Sequence, residues 1–492
     1  MKIILAGYNV DSGFLDELKE KGVRSEEITP ETISAAYARI SRSPKPVDEL
    51  RQMARREVDK ARKSNRSIVF EMGHSSVAEH AVLNIDVIGV SRLLVEEIEK
   101  FRLCSYTEKS QRYVLFDDDF VVPEEIRQTG QADLFLETIS LQNDYYQELY
   151  KKLRPYVFAQ NKSLAVNPAN KSLLEGWAKE DARYTIALAT ETQLGMTINT
   201  RNLELMLRRL AAIPLDEAQE YANRLYAATS GIAPSLIRYT EATDYDRFTR
   251  PNLRKQAAAL SCKYSRNIAV KRSSAAQLAF CTPDADTRAA AALLFSASSA
   301  DYEQCLMQAA LLNIREKKAL FRTVFEHMKV HDAALRELEN VDLQFVLTMS
   351  ASCFAQLKRH RMATIIAQDY DPQLGVTVPP AVRAIGQQRR FMEIMRQSQY
   401  AYERIRKKAP SAASYVLTNA HRKRVLLKLN ARELYHLARL RADGHAQWDI
   451  RKLTEEMLKK AKKVMPLTLL MACGKDGFPG RRRRIFPRLQ ND

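Results

Sequence analysis

The chain has few of the features that mark common nucleotide-binding, disulfide-bonded or membrane proteins. Its 492 residues include only 15 glycines, and they contain neither a G-x-G-x-x-G segment nor a P-loop, which excludes the usual glycine-rich phosphate-binding loops. The six cysteines form no CxxC pair, so we predict no disulfide framework and expect a reducing, cytoplasmic location. No apolar run approaches the roughly 20 residues that span a bilayer, so no membrane segment is predicted.

Acidic residues are outnumbered. The 77 Lys and Arg residues against 59 Asp and Glu give a formal net charge of +18, which favours anionic partners such as nucleic acid or small phosphorylated molecules. The densest basic run is Arg481–Arg484, followed by Arg488. Blocks of like charge are usually solvated, so we interpret this run as a solvated tail, with nucleic-acid contact as the second interpretation. The short apolar start, Met1–Gly7, predicts a first strand and not a signal peptide.

What the chain does contain is a long internal repeat. Each half is predicted to have a strand, a helix, an extended run that ends at proline, and a long helix that opens with Asn-x-Arg. In the first half these are Leu83–Ile88, the helix opening at Ser91 and carrying Lys100–Arg102, Phe120–Pro123 and the helix from Asn199; in the second they are Val341–Thr348, the helix from Ser350, Val376–Pro379 and the helix from Asn430. Ala218–Gln219 and Ala446–Gln447 follow at similar distances.

A polar, proline-containing stretch separates the halves near Asp244–Pro251, where the periodicity lapses. It predicts one domain at 1–245 and a second at 246–492. The segment 257–301, rich in Ala and Ser, has no clear counterpart in the first half.

Two stretches carry complementary remnants of one motif, Gln-x-x-Arg-His-Arg-x-x-Ser-x-x-Glu-x-Ser-x-Arg-Tyr. The first keeps the end of the motif but has Glu97, Lys100 and Phe101 at the leading Gln, Arg and His. The second keeps the beginning but runs on into Ile366–Asp369. The retained residues are Glu108, Ser110, Arg112 and Tyr113 in the first stretch and Gln356, Arg359, His360 and Arg361 in the second.

The segment Leu429–Ile450, with Arg432, His436 and Arg441 at spacings of four and nine, completes a resemblance to the flavin-dependent thymidylate synthases that covers most of both halves. The resemblance implies an α+β chain of two tandem copies of that fold, each a mixed sheet with long helices. It implies FAD as cofactor, dUMP as the substrate that is methylated to dTMP, and methylenetetrahydrofolate and NAD(P)H as co-substrates. Because family members are homotetramers, it also implies a homodimer that forms a pseudo-tetramer of domains.

The resemblance carries over the following site residues. Arg441 and Ser110 are the candidate catalytic residues, Arg441 to stabilise charge on the pyrimidine and Ser110 as a hydrogen-bond donor. The candidate dUMP-binding residues are Gln356, Arg359, Glu108, Ser110, Gln111, Arg112, Arg183 and Arg441. The candidate FAD-binding residues are His74, Ser76, Glu108, Asn199, Arg201, Arg359, His360, Arg361, Asn430, Arg432 and His436. His74, Glu79 and His80 lack the spacing of a zincin helix, so no metal site is predicted.

The two halves have lost different arginines of the family's site. Arg183 is retained where the second half has Ser414, and Arg441 where the first half has Leu210. This pattern predicts one complete site drawn from both halves. Two alternatives stay open: a divergent flavin enzyme that methylates or binds another uracil-containing substrate such as nucleic acid, and a non-catalytic interaction protein.

Overall fold

A computed structural model of the chain describes residues 1–15, 28–110, 119–264 and 274–487. The chain forms two compact units: unit 1 comprises Met1–Ala269 and Ala384–Thr418, and unit 2 comprises Val270–Arg383 and Asn419–Asp492. The predicted domains 1–245 and 246–492 describe the sequence repeat, whereas unit 1 also takes a segment from the second half. The stretch predicted as a polar boundary is an α-helix, Asp244–Tyr264, in which only Asp246 is buried. Among the described residues, no helix has the length and apolar character needed to cross a bilayer.

Each unit contains one four-stranded sheet. The strands are β1 (Lys2–Tyr8), β2 (Val82–Ser91), β3 (Ser105–Glu108), β4 (Glu191–Asn199), β5 (Ala276–Cys281), β6 (Asp342–Ser350), β7 (Thr364–Ala367) and β8 (Arg422–Asn430). Their orders, β1-β2-β4-β3 and β5-β6-β8-β7, are the same topology, which confirms the α+β repeat. All described pairings are antiparallel, so the sheets are antiparallel and not mixed.

The first strand of the second sheet explains part of the segment that sequence reasoning could not place. Strand β5 lies within 257–301 and pairs with β6 as β1 pairs with β2. The central strands differ by one residue: β2 has a register shift between Ile88 and Val90, and Gly89 adopts φ +73° there. A positive φ at a bulge is a conformation that glycine adopts without strain.

Helices make up most of the remaining described chain. They are α1 (Glu31–Ile40), α2 (Val47–Arg56), α3 (Val58–Arg66), α4 (Arg92–Ile98), α5 (Glu124–Gln128), α6 (Ala132–Gln160), α7 (Lys162–Ala165), α8 (Lys171–Ala182), α9 (Thr200–Leu210), α10 (Asp216–Thr229), α11 (Asp244–Tyr264), α12 (Ala285–Ala297), α13 (Tyr302–Leu311), α14 (Ile314–Phe325), α15 (Ala351–Leu357), α16 (Pro380–Ala384), α17 (Gln388–Arg406), α18 (Ala431–Arg441), α19 (Trp448–Val464) and α20 (Phe478–Ile485). Helix α4 ends before Lys100, so the prediction that it carries Lys100–Arg102 is wrong.

Helix α6 of the first half packs against α17 of the second half inside unit 1. The Gln142 amide of α6 donates to the Ser398 hydroxyl and to the Val416 carbonyl, both at 2.8 Å. A buried amide that bridges two segments fixes their register, because leaving it unbonded would cost about 1–3 kcal/mol. This contact explains why Ala384–Thr418 belongs to unit 1.

The basic run near the carboxyl end is docked on unit 2. It lies in α20, where the Arg481 guanidinium donates to the Leu470 carbonyl at 2.5 Å and Arg482 donates to the Glu326 carbonyl at 3.3 Å. Phe486 is 5% exposed and lies in the apolar core of the unit. The interpretation as a solvated tail is therefore wrong for Arg481 and Arg482, whereas Arg483 and Arg484 are exposed; Arg488 lies outside the described residues.

A serine-to-carboxylate contact recurs in both sheets. Ser91 caps α4, and its hydroxyl donates to Glu217 at 2.6 Å. Ser350 caps α15 in the same way and donates to Asp449 at 2.5 Å. Helix α10 therefore corresponds to α19 with Glu217 opposite Asp449, and the apparent match of Ala218–Gln219 with Ala446–Gln447 is wrong by one helical turn. A four-residue slip keeps the same helix face inward, so hydrophobic periodicity cannot detect it.

Glu217 is a buried carboxyl of unit 1. It also accepts from the Tyr415 hydroxyl at 2.5 Å, and burial raises its pKa although the hydrogen bonds from Ser91 and Tyr415 oppose that shift. A carboxyl whose folded pKa is raised contributes stability that is present below its unfolded pKa and is lost as pH rises through the folded pKa.

We expect Tyr415→Phe to lower the free energy of unfolding by about 1–3 kcal/mol at pH 8, where Glu217 would lose a donor, and by less at pH 5. Chemical denaturation at the two pH values measures the difference. Tyr221→Phe is the matched control: Tyr221 is fully buried and its hydroxyl has no hydrogen-bond partner among the described residues, so removal should cost little. Equal losses in the two variants would contradict the assignment.

Candidate active site

The beginning of the motif lies in unit 2 at the end of α15. The turn after this helix is closed by backbone bonds from His360 N–H to Leu357 O at 3.0 Å and from Ala363 N–H to His360 O at 3.2 Å. The turn exposes Arg359 and Arg361 and buries the His360 side chain between them, at 2% exposure. The sequence Arg-His-Arg thus presents two guanidinium groups on either side of a buried imidazole.

Helix α18 supplies the groups around that imidazole. His360 Nδ1 lies 3.2 Å from Glu433 Oε1, and Arg441 Nε donates to His360 Nε2 at 3.1 Å. The exposed His436 ring is edge-on to His360, with the centroids 5.6 Å apart. Burial is the main cause of a lowered His360 pKa, the bond to Glu433 opposes it, and Arg441 and His436 add to it. The structure thus brings His360, His436 and Arg441 together, and their predicted roles as FAD and dUMP ligands stay predictions.

The motif glutamine is held by the start of the next helix. Gln356 is 9% exposed, and its amide donates to Gln447 Oε1 at 3.4 Å. That same oxygen caps α19 by accepting from Asp449 N–H at 3.0 Å. Gln447 was not among the predicted site residues, and its position directly before a helix was the only signal for it.

The first copy of the motif has replaced this arrangement. Lys100 and Glu97, at the positions of Arg359 and Gln356, form an ion pair with each other at 2.5 Å. Their side chains are 58% and 33% exposed, so the pair is worth little to stability. Lys100 is thus paired within its own turn, and its interpretation as a lost ligand stays a prediction.

A buried ion pair in the first copy was not predicted. The Arg92 guanidinium donates to the Glu108 carboxylate, and their side chains are 8% and 1% exposed. The second copy has Ala351 and Ala367 at these positions, the first residue of α15 and the last of β7. Glu108, a predicted dUMP and FAD ligand, therefore already has a charged protein partner.

The remaining dUMP candidates belong to unit 1. Ser110 follows β3 and is half-buried, and Arg183 is buried in a short turn at Arg183–Thr185. Gln111 and Arg112 lie outside the described residues. Their roles as substrate ligands stay predictions.

In each Asn-x-Arg pair the asparagine caps a helix and the arginine forms an ion pair. The Asn199 and Asn430 side chains cap α9 and α18 by accepting backbone N–H groups of Asn202 at 2.9 Å and Glu433 at 2.8 Å. Arg201 pairs with Glu79. Arg432 donates to the Ala334 carbonyl at 2.7 Å and pairs with Glu339 at 3.0 Å.

Two further FAD candidates lie in the turn before β2, where His74 and Ser76 are both exposed. The neighbouring residues considered for a metal are engaged in other contacts: Glu79 pairs with Arg201, and the His80 ring packs edge-on against Tyr37 at 4.7 Å.

The described residues contain one carboxylate and histidine group that could hold a cation, Asp443, His445 and Asp476. Its carboxylates already accept backbone N–H groups: His445 and Asp476 donate to Asp443, and Gly444 donates to Asp476, each at 2.9 Å. These bonds fasten the loop after α18, and we assign no metal to it.

The donor set of unit 2 fits a flavin dinucleotide in its chemistry. A pyrophosphate requires fixed positive charge and N–H donors, which Arg359 and Arg361 present on an exposed turn. His360 fits less well, because both ring nitrogens are already bonded to protein groups.

Comparison with known proteins finds one family that matches both halves of the chain. The family described as "Thymidylate synthase complementing protein" matches residues 25–235 and again 277–467. A UPF0159 protein of Thermoplasma acidophilum is 23% identical over 88% of this chain and 93% of its own. The flavin-dependent thymidylate synthase of Clostridium tetani is 28% identical over 43% of this chain and 82% of its own.

Among solved structures, the flavin-dependent thymidylate synthase of Helicobacter pylori, complexed with FAD and dUMP, aligns at 20% identity with a TM-score of 0.29, over 49% of this chain and 100% of its own. The sequence match over both halves decides the assignment. The chain belongs to the flavin-dependent thymidylate synthase family, whose members are FAD-dependent methyltransferases, and it contains two copies of the family's domain.

Proposed function

We propose that the protein is an FAD-dependent thymidylate synthase that converts dUMP to dTMP with methylenetetrahydrofolate and NAD(P)H. The observation that carries this proposal is the cluster in unit 2, where exposed Arg359 and Arg361 flank a buried His360 that is bonded to Arg441. Such a set of permanently charged donors suits a nucleotide whose phosphate and ring oxygens must both be held.

In this proposal each donor has a separate task. Gln356 and Arg359 bind and orient dUMP, and Arg361 binds the cofactor phosphates. Arg441 stabilises the negative charge that develops on the pyrimidine as its C5 carbon becomes nucleophilic. FAD, when bound, supplies the hydride chemistry.

The proposed site draws its other half from the first copy, from Glu108, Ser110, Gln111, Arg112 and Arg183. What supports it is the complementary retention in the sequence, since each copy keeps what the other has lost. We also propose a homodimer, as the commonest closed assembly for a chain that repeats a tetrameric fold. Whether each site joins two halves of one chain or of two chains follows from mixing Arg441→Ala and Arg112→Ala chains, because only sites between chains regain activity.

The decisive experiment uses the duplication as its own control. Arg359→Ala should abolish the rescue of a thymidine-requiring host, because it removes a phosphate and ring ligand. Lys100→Ala, at the equivalent position of the first copy, should leave rescue intact, because Lys100 pairs with Glu97 in its own turn. The purified wild type should carry FAD, seen as a flavin absorbance band. A colourless protein that cannot be reconstituted with FAD, or equal damage by the two substitutions, would overturn the proposal.

One observation favours the second candidate, a larger uracil-containing polyanion. Arg483 and Arg484 of α20 are exposed, and no carboxylate of the described residues forms an ion pair with them. Binding of a uracil-containing oligonucleotide more tightly than dUMP, lost in an Arg483→Glu, Arg484→Glu variant, would favour this candidate over free dUMP.

A further inference from the structure

The chain of contacts through His360 allows only one protonation state. The Glu433 carboxylate can only accept a hydrogen bond, so the ring nitrogen facing it, Nδ1 at 3.2 Å, must carry the proton. Arg441 Nε can only donate, so Nε2, at 3.1 Å, must be unprotonated. His360 is therefore the neutral Nδ1–H tautomer, and it links a carboxylate to a guanidinium.

The surroundings keep the imidazole in that state. His360 and Glu433 are 2% and 7% exposed. The charged or titratable groups facing the ring are Glu433, Arg441 and His436, all on α18. Two of them, Arg441 and His436, oppose a positive charge on His360, as does its burial, which is why its pKa is lowered.

The position of Glu433 is itself fixed by the helix cap. Its backbone N–H donates to Asn430 Oδ1 at 2.8 Å, which sets the first turn of α18 and directs the side chain at the third helical residue inward. The carboxylate, the imidazole and the guanidinium thus form one continuous path of hydrogen bonds, and the capping asparagine anchors its first member at the backbone.

The first copy of the repeat provides an internal comparison. Measured from the capping Ser and Asn residues, the positions of His360, Glu433, His436 and Arg441 correspond to Phe101, Asn202, Leu205 and Leu210. All four groups are replaced together, although both caps are kept. Asn202 instead donates to Asn199 at 2.8 Å. A set of side chains that is retained or lost as a whole behaves as one functional unit.

We infer that Glu433 and His360 are positioning residues that hold the guanidinium of Arg441, Glu433 by fixing the tautomer of His360 and His360 by accepting from Arg441 Nε. The bond at Nε fixes rotation of the guanidinium plane, so its orientation is set before dUMP binds. This inference rests on the proposed function for the role of Arg441, and it reassigns His360 from cofactor ligand to support. Partners that orient metal ligands contribute about 10–100-fold to activity, and we expect a similar effect for partners that orient a guanidinium.

Two measurements test the inference, and the first does not depend on activity. NMR of protein labelled with ¹⁵N at its eight histidines, with His360→Gln for assignment, should show His360 as neutral Nδ1–H from about pH 6.5 to 8. The double variant Glu433→Leu, Arg441→Ala removes both the acceptor at Nδ1 and the donor at Nε2, so the Nε2–H form should appear. A wild-type His360 that is Nε2–H or charged at pH 7.5 overturns the inference.

The second measurement is a double-mutant cycle in kcat. Glu433→Gln should lower kcat by about 10–100-fold in the wild type but have no further effect in Arg441→Ala, because Glu433 acts through Arg441. Glu456→Gln, a carboxylate of α19 that pairs with Lys460 at 3.2 Å, is the matched control and should leave kcat unchanged. Equal losses in both backgrounds would show that Glu433 acts independently of Arg441. An inactive wild type with the Nδ1–H tautomer would instead overturn the proposed function and leave the tautomer assignment standing.

Discussion

Arg441→Ala should lower the turnover of dUMP by about 10²–10³-fold, equivalent to about 3–4 kcal/mol of transition-state stabilisation, by analogy with removal of one preorganised donor to a developing anion. The loss is expected in kcat more than in substrate affinity, because charge on the pyrimidine is larger in the transition state than in dUMP. The guanidinium is held by His360 at 3.1 Å, and a water molecule entering the gap would carry neither its charge nor its fixed orientation. Steady-state kinetics with FAD-loaded protein measure the effect.

Arg439→Ala is the control for this prediction. Arg439 lies on the same helix, and its guanidinium donates to the backbone carbonyl of Asp332. Its removal changes the net charge by the same amount without touching the His360 cluster, so kcat should change less than threefold, or by less than about 0.7 kcal/mol. Comparable losses in the two variants would mean that Arg441 acts through the general charge of the helix and not at the pyrimidine.

Arg92→Ala should lower the free energy of unfolding by about 3–5 kcal/mol, because it leaves the carboxylate of Glu108 buried without the guanidinium that neutralises it. The second copy carries alanine at both equivalent positions, Ala351 and Ala367, which shows that the fold accepts the pair's removal. The double variant Arg92→Ala, Glu108→Ala should therefore be more stable than Arg92→Ala alone. Chemical denaturation of the three proteins provides the comparison.

Arg201→Ala is the matched control for Arg92→Ala. Arg201 also pairs with a glutamate of unit 1, Glu79, but their side chains are 49% and 36% exposed, so its loss should cost less than about 1 kcal/mol. Equal losses of unfolding free energy in Arg92→Ala and Arg201→Ala would contradict this prediction. So would a double variant that is the least stable of the proteins, because either result would mean that Arg92 does not offset the burial of the Glu108 carboxylate.

The sequence was informative where one residue decides the local structure. The serines and asparagines that open the four repeated helices were recognised in advance and are caps in the structure, at Ser91, Asn199, Ser350 and Asn430. Strands β2 and β6 were also predicted, to within three residues at each end, because their alternation of buried and exposed residues is clear.

What sequence reasoning missed depends on contacts between residues far apart in the chain. Nothing near Glu433 distinguishes it from a solvent-exposed glutamate in the first turn of a helix, where acidic residues are common. Only its distance to His360 identifies its role. The Arg92–Glu108 pair was missed for the same reason. Helix α4 was predicted to end too late, because its pattern of Leu and Glu residues continues past Ile98 although the backbone turns there.

The interruption of unit 1 has a consequence for how the protein is made. Residues 384–418 complete this unit, and they include Ser398 and Val416, the hydrogen-bond partners of Gln142 in α6. During translation the amino-terminal part therefore leaves the ribosome long before its last helix exists. At about 5–20 residues per second, synthesis from Ala269 to Thr418 takes about 7–30 s, during which the face of α6 that α17 will cover is open to solvent. Unit 2 comes wholly from the second copy, so a gene split between the copies would leave unit 1, and not unit 2, without part of its chain.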